Sequence, residues 1–82
     1  MMAAEDKELL RAVVCRLVDH PTDVAVDEEL KGEDSHMLVR VAPEDRGRVI
    51  GKGGETIGSL RVLFGRIAAA DGRKTFIQVE AC

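Results

Sequence analysis

Residues 51–54 read Gly-Lys-Gly-Gly, and this run holds the clearest chemistry in the 82-residue chain. Three glycines in four positions leave the backbone nearly unshielded, so a ligand can approach it closely. A helix is expected to start just beyond, and its N-terminus offers free N–H groups and a partial positive charge. Lys52 adds a mobile cation at the tip, and Arg46 and Arg48 lie one helix turn upstream. Bare backbone, a helix end and three cations at this spacing suit an anion. The expected ligand is a phosphate-bearing chain.

Other phosphate loops fit less well. A Walker A loop needs G-x-x-x-x-G-K-[ST] after a strand. Arg stands at position 46, Gly53 follows the lysine, and the preceding element reads as a helix. A dinucleotide fingerprint built on Gly51 and Gly53 would need glycine at position 56, where Thr stands. A plain cap inside a helical hairpin usually takes one glycine, and three around a lysine exceed that. The only serines, Ser35 and Ser59, have no plausible His partner, so no nucleophilic triad is expected. His20 and His36 are isolated, and Glu28 and Glu29 read as solvated charges in a charge-rich hairpin. No enzyme, cofactor, metal or small-molecule substrate is expected.

Composition narrows the ligand further. Hydrophobic residues make up 45% and charged residues 33%, the profile of a soluble folded chain. At this length the core is thin, hiding only ~60–65% of the surface of the unfolded chain. No apolar run approaches a membrane span, and Met1 to Asp6 lack the regions of a signal peptide. Cys15 and Cys82 are too few for a disulfide framework, and no Cys/His pair has metal-ligand spacing. A cytoplasmic location is expected. Phe64 and Phe76 are the only aromatic rings besides the two histidines, so a single-strand binder built on a platform of stacked rings is excluded.

Net charge is −3, but it is unevenly divided. Residues 1–42 hold 5 basic and 10 acidic residues, and residues 43–82 hold 7 basic and 5 acidic. A local basic surface binds phosphate despite an acidic total when the acids lie on another face. Arg61 and Arg66 extend the basic set onto the next expected helix.

The elements that must position this loop can be read from periodicity. Leu9, Leu10, Val13, Val14, Leu17 and Val18 form one stripe of an amphipathic helix, with Cys15 on the opposite, exposed side. His20-Pro21-Thr22 ends it. Val24, Val26 and Leu30 alternate as a strand, as do Met37, Val39 and Val41, and Gly32-Glu33-Asp34-Ser35 turns between them as a hairpin. Ala42-Pro43-Glu44-Asp45 starts a short helix that ends at Val49 and Ile50. A third helix carries Ile57, Leu60, Leu63, Phe64 and Ile67 to Ala70, and Asp71-Gly72 breaks it. Thr75 to Glu80 forms the last strand. The order is α-β-β-α-α-β, an α+β fold with helices on one face of a three-stranded mixed sheet, one domain over 1–82 with its motif helices and loop at 43–70.

With that order in place, Val49-Ile50-Gly51-Lys52-Gly53-Gly54 followed by Ile57 resembles the V-I-G-x-x-G signature of a KH domain. The order is that of the bacterial, type II form. Residues 42–45 and the near-complete coverage, about Glu8 to Glu80, make it most similar to the KhpA-like family of small bacterial RNA-binding proteins. The resemblance implies that Gly51, Lys52, Gly53 and Gly54 clamp about four nucleotides of single-stranded RNA. It implies that Ile50 and Ile57 flank an apolar groove for bases, with Leu38 or Arg40 on the adjoining strand as its far wall. It also implies work as an RNA chaperone with a larger KH-containing partner of the KhpB type, in cell elongation and division.

Two functions follow. The first is a non-catalytic single-stranded RNA-binding module in which Arg46, Arg48 and Lys52 neutralise phosphates. The second is a dimerising interaction adaptor with secondary RNA binding, since a thin core favours self-association. The intact glycine loop favours the first.

Overall fold

The computed structural model describes residues 3–81. Helix α1 (Ala3–Cys15) leads into a hairpin of β1 (Ala25–Lys31) and β2 (Asp34–Val41). A short helix α2 (Arg46–Ile50) and a long helix α3 (Glu55–Ala69) then cross to β3 (Lys74–Ala81). The sheet order is β1-β2-β3, with β1 antiparallel and β3 parallel to the central β2. A parallel pair cannot close through a tight turn, so the crossover between β2 and β3 must be long. That crossover contains α2, the glycine loop and α3. The α-β-β-α-α-β order read from periodicity and the mixed sheet expected with it are those observed.

Local chemistry explains the boundaries. The hairpin turns in two residues, Gly32 and Glu33, and Gly32 takes the positive φ of 63° that the first turn position demands. Helix α3 ends in a Schellman cap: Gly72 N–H donates to the Ala69 carbonyl and Arg73 N–H to the Ala68 carbonyl, at 3.0 and 2.9 Å. The strands alternate as half-buried strands should. Met37, Val39 and Val41 face the helices and are at most 2% exposed, while His36, Leu38 and Arg40 face away.

One core cluster joins the two layers. Leu10 and Val14 of α1, Ile57, Leu60 and Phe64 of α3, and Val49 of α2 pack on Val26, Met37, Val39 and Ile77 of the sheet. Helix α1 lies over β1, and α2 and α3 lie over β3. Burying each large side chain contributes about 1.5–3 kcal/mol, which a core this small needs at every position.

Several expectations are corrected. Helix α1 stops at Cys15, and Arg16 and Leu17 close it with bonds to Val13 and Val14 carbonyls. Its end is set from a distance, because the fully buried Asp45 carboxylate accepts the backbone N–H groups of Asp19 and His20 at 3.2 and 2.9 Å. Cys15 is half-buried against the core, not exposed, and its thiol donates to the Pro21 carbonyl at 3.8 Å. Leu9 and Leu63 are exposed because each helix touches the sheet along a narrow line, Leu10 and Val14 on one and Leu60, Phe64 and Ala68 on the other. Leu30 is exposed because it sits at the hairpin end of an edge strand, beyond the buried part of β1. Cys82 lies outside the described residues. Among the described residues, no helix is long and apolar enough to cross a membrane.

Candidate nucleic-acid interface

The loop between α2 and α3 is shaped by its glycines. Gly51 stands at φ 78°, ψ 169°, a conformation essentially restricted to glycine. A Cβ there would meet the Thr56 hydroxyl at 2.4 Å and its backbone nitrogen at 2.8 Å. Gly51 is therefore required by the approach of the loop to the start of α3. Gly53 differs: its φ is 65°, and nothing lies within 4 Å of a Cβ built on it. The backbone there faces open space.

Lys52 is exposed at the tip. Gly54 is the N-cap of α3 and brings no side chain to the helix end, so the positive end of a 15-residue helix opens beside the loop. Glu55, in the first turn, sets one exposed acid against that field.

Beside the loop runs a cleft of about 370 Å³, lined by Arg46, Ile50, Ile57, Arg61, Gln78 and Val79. Its exposed lining is mostly polar, with Ile50, Ile57 and Val79 as the aliphatic part. Ile57 is only 6% exposed and Ile50 and Val79 are half-buried, so Ile57 belongs first to the core and reaches the cleft as part of its floor. Arg46 stands at the rim on α2. Arg61, on α3, donates from Nε and Nη2 to the Ile77 carbonyl at 3.2 and 3.1 Å.

The sequence-derived set is thus divided. Gly51 to Gly54, Arg46, Ile50 and Ile57 come together around the loop and cleft. Arg48 does not: its Nη2 lies 3.1 Å from the Asp19 carboxylate, on the side of α2 facing the α1–β1 connection. Arg40 and Leu38 do not form the far wall either. They point to the opposite face of the sheet, where Arg40 Nη1 pairs with Asp27 at 2.7 Å in a second cleft of about 360 Å³ shared with His36, Phe76 and Gln78. Alternation along β2 turns both away from the face that carries Met37, Val39 and Val41, and strand order puts a different strand beside the helices. Edge strand β3, not β2, borders α2 and α3, so Gln78 and Val79 supply the wall. Arg61 was visible as a basic residue on α3, but only the packing of α3 on β3 shows that it reaches the cleft.

Comparison with known proteins agrees with this architecture. The sequence matches the family model described as KhpA/KhpB, KH domain, over residues 7–79. It is 46% identical over 70 residues to the RNA-binding protein KhpA of Leifsonia xyli subsp. xyli, covering 85% of this chain and 90% of the relative. It is 39% identical over 74 residues to the protein of the same name from Halalkalibacterium halodurans, covering 90% and 95%. The one from Clostridium perfringens is also 39% identical over 74 residues, covering 89% and 97%. No solved structure gives a significant match.

Proposed function

The chain belongs to the KhpA/KhpB KH-domain family, and on that premise we propose that it is a non-catalytic, cytoplasmic protein that binds single-stranded RNA. The relatives carry the name RNA-binding protein. One observation carries the reading for this chain: the bare backbone at Gly53 opens to solvent beside a cleft that combines Arg46, Arg61 and Gln78 with the aliphatic Ile50, Ile57 and Val79. Phosphates meet Lys52, the loop amides and the positive end of α3, while bases lie on Ile50, Ile57 and Val79. Aliphatic surface replaces the aromatic platforms of other single-strand binders. Contact is short and tolerant of sequence, which suits an RNA chaperone that holds strands apart. In that role the protein works with a KhpB-type partner in cell elongation and division.

The test is titration of labelled single-stranded RNA with the wild type and with a Lys52→Asp/Gly53→Asp variant, with circular dichroism on both. The folded variant is expected to lose binding, because two carboxylates replace a cation and a bare amide beside phosphate. Normal binding by the variant would refute the loop as the contact.

A second reading, a homodimeric adaptor with secondary RNA binding, draws on one feature. Val62 and Leu63 are 59% and 48% exposed on the outer side of α3, beside Gly58 and Ser59. Sedimentation velocity across a concentration series tests it. Self-association lost in Leu63→Asp supports this face, and a monomer at all concentrations removes it.

A further inference from the structure

Among the described residues, the Arg61 guanidinium is held along one edge. Its Nε and Nη2 both donate to the Ile77 carbonyl of edge strand β3, which leaves the outer pair of N–H groups, on Nη1 and Nη2, without a partner from that contact. Those two donors are parallel and coplanar, a fork that takes two adjacent acceptors at once. The side chain lines the cleft together with Ile50, Ile57 and Val79.

From this geometry we infer that Arg61 reads the base held in the cleft and favours guanine and cytosine over adenine and uracil. The inference rests on the RNA-binding reading above and adds a specificity to it. Guanine presents O6 and N7 as adjacent acceptors, the usual partner of an arginine fork. Cytosine presents O2 and N3 in the same way once unpaired. Adenine sets a donor amino group beside N1 and N7, and uracil sets N3–H between its two carbonyls, so neither fills both donors. In a single strand all these edges are open.

Position separates this role from phosphate binding. Arg61 lies six residues into α3 from Glu55, about 9 Å along the helix axis from the loop end. The cleft also holds Arg46, but Ile50, Ile57, Val79 and Gln78 give a base both an aliphatic surface and a polar edge there. The bonds to Ile77 also fix the guanidinium before any ligand arrives, so less side-chain freedom is lost on binding.

The experiment measures binding of four labelled RNA octamers: all-C, all-U, all-A, and U with a central G-G. Wild type is expected to bind the C and G-containing octamers about tenfold more tightly than the U and A octamers, within the range of one bidentate contact. Arg61→Lys keeps the charge and loses the fork. It is expected to hold its affinity for the U octamer within about twofold and to level the four affinities. Equal wild-type affinities would overturn the inference without any variant. A folded Arg61→Lys or Arg61→Gln that weakens all four octamers equally would also overturn it, placing Arg61 on the backbone. No binding to any octamer would overturn the RNA-binding reading itself, an outcome distinct from binding without preference.

Discussion

Gly51 and Gly53 hold the same loop for different physical reasons, and substitution separates them. Gly51→Ala combines a strained φ/ψ with a clash on Thr56 and is expected to destabilise the fold by about 2–4 kcal/mol. Gly53→Ala meets open space and keeps only the left-handed penalty, about 1 kcal/mol. Urea unfolding of both variants measures the difference, and equal losses would contradict it. Asp6 of α1 offers a pH test. It is 8% exposed, and burial, with Asp71 and Glu28 nearby, raises its carboxyl above its ordinary value despite Arg73. The fold therefore prefers protonated Asp6. That stability is complete below the ordinary carboxylate range and is lost as pH rises through the raised value. Asp6→Asn is always neutral, so its Tm is expected to gain on the wild type between about pH 3 and pH 7. A difference independent of pH would refute this.

At the level of elements, Asp45 connects the start of α2 to the middle of the α1–β1 connection. Asp45→Ala leaves the N–H groups of Asp19 and His20 without their acceptor and is expected to cost about 2–4 kcal/mol. Asp45→Asn keeps one acceptor oxygen and is expected to lose about half as much in the same unfolding measurement. This contact also shows what could be read from the chain alone. The order of elements, the glycine loop and the Asp71-Gly72 break were legible, because Pro, Gly and apolar spacing act locally. The end of α1 was not, since it depends on a carboxylate 25 and 26 residues away from the amides it holds. Arg40 was misplaced for a related reason. Alternation against the buried Val39 and Val41 already turns Arg40 to the face away from the helices; what no local pattern in β2 or β3 encodes is that β3 borders α2 and α3. Arg48 pairs at the surface with Asp19 of another element, a contact that no local pattern shows.

Across the whole molecule, an acidic chain with a net charge of −3 presents a small cationic site. With Arg48 paired to Asp19 and Arg61 assigned to bases, Arg46 and Lys52 are the cations of the loop and cleft assigned to phosphate. The plot of log Kobs against log salt for single-stranded RNA is then expected to have a slope near −1.4, from about 0.7 per phosphate neutralised. A slope of about −3 or steeper would require a larger surface, such as a dimer. Glu55→Gln removes the acid nearest the loop and is expected to tighten binding a few-fold at low salt, an effect that should fade as salt is raised. The most direct test of the central claim is a map of backbone amide shifts in two-dimensional NMR as single-stranded RNA is added. The predicted shifts fall on Arg46, Ile50 to Ile57, Arg61, Gln78 and Val79, while His36, Leu38 and Arg40 on the opposite face stay unmoved. Shifts centred on that opposite face, with the glycine loop unmoved, would contradict the account.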